Sequence, residues 1–325
     1  MRLKLALPLA LALAMGQLPA SKPATGSELT EMDVPDNITA VVCEDNIADF
    51  QQCHDNYPTG CSKAAGYDAY LNYLKNLTPS APLGGVNFLN QAAFDNLNSN
   101  TPSDLGTNNN HAEYKEQLAQ LGEGSQYGVT GYLYYFEATG AESSNCDLTG
   151  PDKEGANVDF HIGVGFDSTL ARQVNQTTPS KPPKQLQQQS VIVEMTPHYR
   201  AEFESGQWTL ANLQPALGHK VRVIGQLLVD SEHNKPADNC ALEGTATQHN
   251  RCWRYSIWEL HPVTSFAYCK DDSCTQDSSD WIPIGTGSGG SGGSSGDSGE
   301  TEGNSSRRPR SPSRGSEPLS DQGRH

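Results

Sequence analysis

A mainly β chain of the α+β class is predicted here by three observations. Apolar periodicity is helical before Gly122-Glu123-Gly124 and strand-like after it. Five segments beyond that point are rich in β-branched and aromatic residues. One helical segment falls between the third and fourth of them. The order β-β-β-α-β-β is that of a five-stranded Greek-key barrel of the OB type, here with an N-terminal helical subdomain and a disordered C-terminal tail.

Residues 1–20 read as a signal peptide: Arg2 and Lys4 precede a Leu/Ala run from Leu5 to Met15, and small residues follow at cleavage distance. The helical region spans 21–124. Tyr67, Tyr70, Leu71, Leu74 and Leu77 recur at helical intervals within 64–77, and weaker helices are expected over Asn87–Leu97 and His111–Leu121. The barrel spans 125–284. Its strands are Val129–Glu137, Val158–Phe166, Ser190–Thr196, Val221–Val229 and Trp253–Phe266, and Trp208, Leu210, Leu213 and Leu217 mark the helix that Gly218 stops. The Gly/Ser/Arg-rich stretch 285–325 has too few apolar side chains to offset chain entropy.

The 325 residues carry a formal charge of −16. The leader holds two of the positive charges, and the tail's five arginines balance five acids, so the folding part stands at −18. That acidity disfavours non-specific nucleic-acid binding by the folded region. After the leader, no apolar run approaches the roughly 18 residues of a membrane span. Eight cysteines with no Cys-x-x-Cys pair fit disulfides in an extracellular or periplasmic protein. Turn chemistry favours Cys53–Cys61 and Cys269–Cys274; one bridge is expected among Cys146, Cys240 and Cys252, leaving Cys43 for the remaining partner.

The polar pattern carries the chemistry. In Val158–Val164 alternation sends Phe160, Ile162 and Val164 to the core and puts Asp159 and His161 together on the other face. Glu194 and His198 stand at the exit of the third strand, Asp230 and His233 follow the fourth, and Glu259 and His261 lie in the fifth. Imidazoles with carboxylates suit a divalent metal such as Zn or Mn that activates water, or metal-free acid–base catalysis, or ordinary strand-end hydrogen bonding. Gly163-Val164-Gly165 lacks the rest of a dinucleotide loop and reads as close packing. Tyr132, Tyr134, Tyr135 and Phe136 could stack bases or sugars, but strand propensity explains them as well.

The segments Asp159-Phe-His161-Ile, Gly218 to His233 and Trp258-Glu-Leu-His261-Pro-Val-Thr resemble a group of secreted, mainly bacterial proteins of uncharacterised function with an OB-like barrel, over residues 125–267. The resemblance implies the barrel and the grouping of the acid and histidine residues, and implies no activity or cofactor. Three functions fit the sequence. The first is a secreted binding protein whose long β1–β2 and β4–β5 loops take an unknown small molecule, saccharide or peptide. The second is a metal-dependent hydrolase, with phosphodiesters as one substrate class. The third is an envelope structural or interaction protein.

Overall fold

The computed structural model describes residues 38–64, 66–77, 85–149, 155–174, 182–203 and 206–286. The expected leader lies outside them, as does the expected tail apart from Gly285 and Thr286. In the N-terminal region, α1 (Phe50–Asn56) starts at Asp49, whose carboxylate accepts the Gln52 amide; α2 (Ala69–Lys75) starts at Asp68, which accepts from Tyr70 and Leu71. The helix expected over Asn87–Leu97 needs correction. Asn87–Leu89 is a strand, β1, because its backbone finds a parallel partner at Tyr127–Val129, and only then does Asn90 cap α3 (Gln91–Asn100). The last expected helix is a 3₁₀ turn, His111–Tyr114, running into α4 (Lys115–Leu121), which ends on Gly122 at φ 109.

The five long strands are β2 (Gln126–Ala138), β3 (Phe160–Gly165), β4 (Ser190–Met195), β5 (Lys220–Val229) and β6 (Trp258–Cys269). They form a closed, mixed barrel in the order β2-β3-β4-β6-β5 and back to β2. Only β4 and β6 run parallel within that ring, with Val193 opposite Leu260. β2 closes it by pairing Gln126–Tyr132 with β5 and Tyr132–Ala138 with β3. A short β7 (Ile282–Pro283) extends the edge of β6. Helices α5 (Ser168–Ala171) and α6 (Lys184–Gln188) lie between β3 and β4, α7 (Pro197–Glu202) and α8 (Leu210–Leu213) between β4 and β5, and α9 (Ala246–His249) before β6.

Alternation decides what each strand face meets. Phe160, Ile162, Val164, Val193, Met195, Val229, Trp258 and Leu260 fill the interior, and Trp208, Leu213 and Leu217 pack into the same core from the α8 connection. Gly163 and Gly165 are packing positions: a Cβ at either would overlap the ring of Tyr135 or Tyr134. Tyr134, Tyr135 and Phe136 are buried, and the first two pack with Leu170, Leu186 and Ile192 rather than presenting a stacking platform. No helix among the described residues is long and apolar enough to cross a membrane.

Four disulfides staple the loops. Cys269–Cys274 forms as expected, and Cys240–Cys252 is the bridge made among Cys146, Cys240 and Cys252. The expected Cys53–Cys61 bridge is replaced by Cys43–Cys61 and Cys53–Cys146. The Pro58-Thr59-Gly60 turn does form, with the Gly60 amide donating to Tyr57, but it delivers Cys61 to the 41–43 segment, where the Cys43 amide donates to Ser62 and the Ser62 amide to Val41. Cys53 sits on the buried face of α1 beside Phe50 and bonds across to the β2–β3 connection.

Candidate functional site

The outer face of β3, β4 and β6 is where the sequence's acid and histidine residues meet. Asp159 and His161 alternate with the core residues of β3, and His161 lies opposite Glu194 of β4. Glu259 and His261 flank core Leu260 on β6. This face would be exposed on a bare barrel. Here α2 covers part of it through Leu71 and Leu74 against Leu228 of β5, and the β2–β3 and β5–β6 connections close over the rest. Asp159, Glu194, Asp230, Glu259 and His261 are consequently at most 1% exposed.

Glu194 is the hub. Its Oε1 is 2.8 Å from Nε2 of His161, and its Oε2 is 3.1 Å from Nδ1 of His261. His261 Nδ1 also lies 3.3 Å from Glu259, and His161 Nε2 lies 3.8 Å from Oε1 of Glu142. Asp159 accepts from the Asn145 side chain at 3.1 Å. A second hub is Asp230, whose Oδ2 faces Lys75 at 3.7 Å, His233 at 3.6 Å and Arg254 at 3.4 Å. Arg254 links the two hubs by reaching Glu259 at 3.1 Å. Trp253 fixes the ring positions, stacked on His161 at 5.9 Å and meeting His233 edge-on at 5.0 Å.

Electrostatics sort these groups. Burial disfavours the charged form of His161 and His261, but Glu194, helped by Glu142 for the first and Glu259 for the second, more than offsets it; they titrate at about 9 and about 10. Burial raises the Asp159 carboxyl to about 7, with the Glu142 charge adding to it. Glu194 is held well below the carboxylate range, because His161 and His261 outweigh its burial. Lys75 is likewise buried, yet Asp230 and Glu142 keep it charged. His233 goes the other way: burial first, then the positive charges of Arg254 and Lys75, depress it despite Asp230, so its imidazole is neutral at neutral pH.

A cleft of about 380 Å³ opens beside this cluster, between the N-terminal region and the β2–β3 and β5–β6 connections. Its wall includes Lys75, Glu142, Asp147, His161, Asp230 and His233. His161 is thus the residue that touches both the cleft and the buried hub. Seven of the eight residues singled out from sequence converge on this region: Asp159, His161, Glu194, Asp230, His233, Glu259 and His261. His198 does not. Thr196 caps α7 and Pro197 begins it, and the helix carries His198 away to stack on His54 at 3.9 Å and pair with Glu202 at 3.1 Å. Sequence reasoning missed Lys75, Glu142, Trp253 and Arg254 as site residues: Lys75 lies on α2, Glu142 in a loop, and Trp253 and Arg254 in the segment expected to open the fifth strand, which instead starts at Trp258 and leaves them in the connection before it.

Comparison of the chain with models of protein families, with curated proteins and with solved structures gives no match.

Proposed function

We propose that this chain is an exported hydrolase that cleaves a small polar ester in the cleft. His233 is the general base and Lys75 stabilises the negative charge that develops in the transition state. The observation that carries this reading is the single Asp230 oxygen that gathers Lys75, His233 and Arg254 at the cleft wall. Asp238, 3.4 Å from Nδ1, holds the other side of the His233 ring. A neutral, one-third-exposed imidazole can take a proton from water, and a buried ammonium beside it meets an oxyanion without solvent reorganisation. Ligand-binding sites ordinarily place a few polar groups in an apolar wall. This cleft is backed instead by a dense set of buried ionisable groups, which costs stability and is repaid by chemistry rather than by affinity alone. Four disulfides in a chain with a leader-like N-terminus support export.

The test is turnover of p-nitrophenyl acetate, p-nitrophenyl phosphate and bis(p-nitrophenyl) phosphate by the purified chain. At least one is expected to be hydrolysed, with His233→Ala lowering kcat/KM by about 10²–10⁴-fold. The acid limb of the pH profile should have its midpoint below about 6.5, the ordinary imidazole value. Equal rates for the parent chain and His233→Ala would overturn the reading.

A further inference from the structure

We propose that Glu142, His161 and Glu194 hold one divalent transition-metal ion where the buried cluster meets the cleft. Three separate elements deliver the donors: the β2–β3 connection, β3 and β4. The three donor atoms all lie within 4.8 Å of one another. Donors about 2.0–2.2 Å from a shared ion, at tetrahedral to octahedral angles, stand roughly 3–3.5 Å apart. The observed 2.8 Å between His161 and Glu194 and 3.8 Å between His161 and Glu142 lie either side of that spacing, and Glu142 and Glu194 lie within 4.8 Å, so the ion is admitted by movement of the partly exposed Glu142 side chain. Glu142 is arranged for this: its Oε2 faces Lys75 at 3.4 Å, and its other oxygen turns toward His161.

A second observation points to an absent partner. Glu194 is fully buried, yet neither of its oxygens has an aligned hydrogen-bond donor among the described residues; both ring nitrogens of His261 behind it are in the same state. Its contacts have hydrogen-bond lengths without hydrogen-bond directions. A carboxylate at this depth is costly to leave so, because misalignment weakens the bond steeply. An ion shared with His161 and Glu142 would give Glu194 the partner these contacts do not align to supply. The neighbouring carboxylate group of Glu194, Asp230 and Glu259 already has Arg254 against two of its members. Asp159, Glu194 and His261 form a closed group, whereas two of the proposed three, Glu142 and His161, line the cleft, so an ion held there has a coordination position open to water or substrate. One imidazole with two carboxylates suits Zn²⁺ or Mn²⁺, and all eight cysteines are in disulfides, so thiolates do not compete.

The ion site stands on its own geometry; its role in activating water rests on the hydrolase reading. The test is calorimetric titration of ZnCl2 and MnCl2 into the full chain after EDTA treatment and gel filtration. One ion per chain should bind, raise the unfolding temperature and stay bound through a second gel filtration. Glu142→Gln, a partly exposed loop change, should weaken binding at least about tenfold, while Glu232→Gln, at the same cleft but outside the three, should bind as the parent does. No saturable ion in the parent, or equal losses in both variants, would overturn the site. Ion binding without hydrolysis of any test ester removes the hydrolase and keeps the site. Hydrolysis at full rate by ion-free chain removes the ion's role in that reaction.

Discussion

The two faces of β3, β4 and β6 are built from neighbouring residues and obey opposite rules. Inward, Phe160, Ile162, Val193, Met195 and Leu260 fill volume. Outward, Asp159, Glu194, Glu259 and His261 are buried to the same degree and His161 reaches the cleft, and these residues hold one another by charge. Burial alone therefore does not say what a position tolerates. An interior site accepts a substitution of similar volume; a site in the charged layer fails when its charge is lost even if its shape is kept. Met195→Leu should cost less than about 1.5 kcal/mol. Glu194→Gln, nearly isosteric and one residue away, should cost about 3–5 kcal/mol because it leaves two imidazoles buried without their counter-charge. Denaturant midpoints of the two variants decide the matter, and equal costs would break the distinction between the faces.

The outer face also depends on its cover, which the interior does not. Cys53–Cys146 joins residues 93 apart and anchors the connection that supplies Glu142 and Asn145. Cys53→Ser with Cys146→Ser should cost about 2–5 kcal/mol. It should also separate the faces: Trp253 fluorescence from the cleft region should change at lower denaturant than the far-UV signal of the barrel. Coincident transitions would mean that cover and barrel unfold as one unit.

Much of this arrangement is legible in the sequence because alternation is local. Val158–Val164 announces both faces of β3, and an acid followed closely by a histidine marks β3, the exit of β5, and β6. The same signature at Glu194 and His198 misleads, since Thr196-Pro197 starts a helix between them. Lys75 is not marked by the apolar periodicity of its helix, and only the docking of α2 by Leu71 and Leu74 buries it beside Asp230. Arg254 and Glu142 are single charges in loops whose paths are set by tertiary contacts and disulfides. Asn87–Leu89 fits a helical spacing equally well, and the strand appears only when Tyr127–Val129 is present to pair with it.

Titration gives a finer comparison, because Phe160, Ile162, Val193, Met195 and Leu260 on the inward face carry no ionisable groups. In ion-free chain, His161 and His261 titrate at about 9 and about 10, above the ordinary imidazole value. A raised imidazole stabilises the fold fully below about 6.5, its unfolded value, and loses that contribution as pH rises through the folded one. Asp159, raised to about 7, acts in the same direction at lower pH: its preference for the protonated form is lost as pH climbs through that value. The unfolding temperature of EDTA-treated chain should therefore fall between pH 7 and 10. In Glu194→Gln the fall should be shallower, since the carboxylate that raises both imidazoles is gone. A bound ion should flatten the slope as well, by holding His161 deprotonated at all these pH values. If the parent chain were flat over this range without an ion, the protons would not be held by the outer face, and its charges would have to balance in another way.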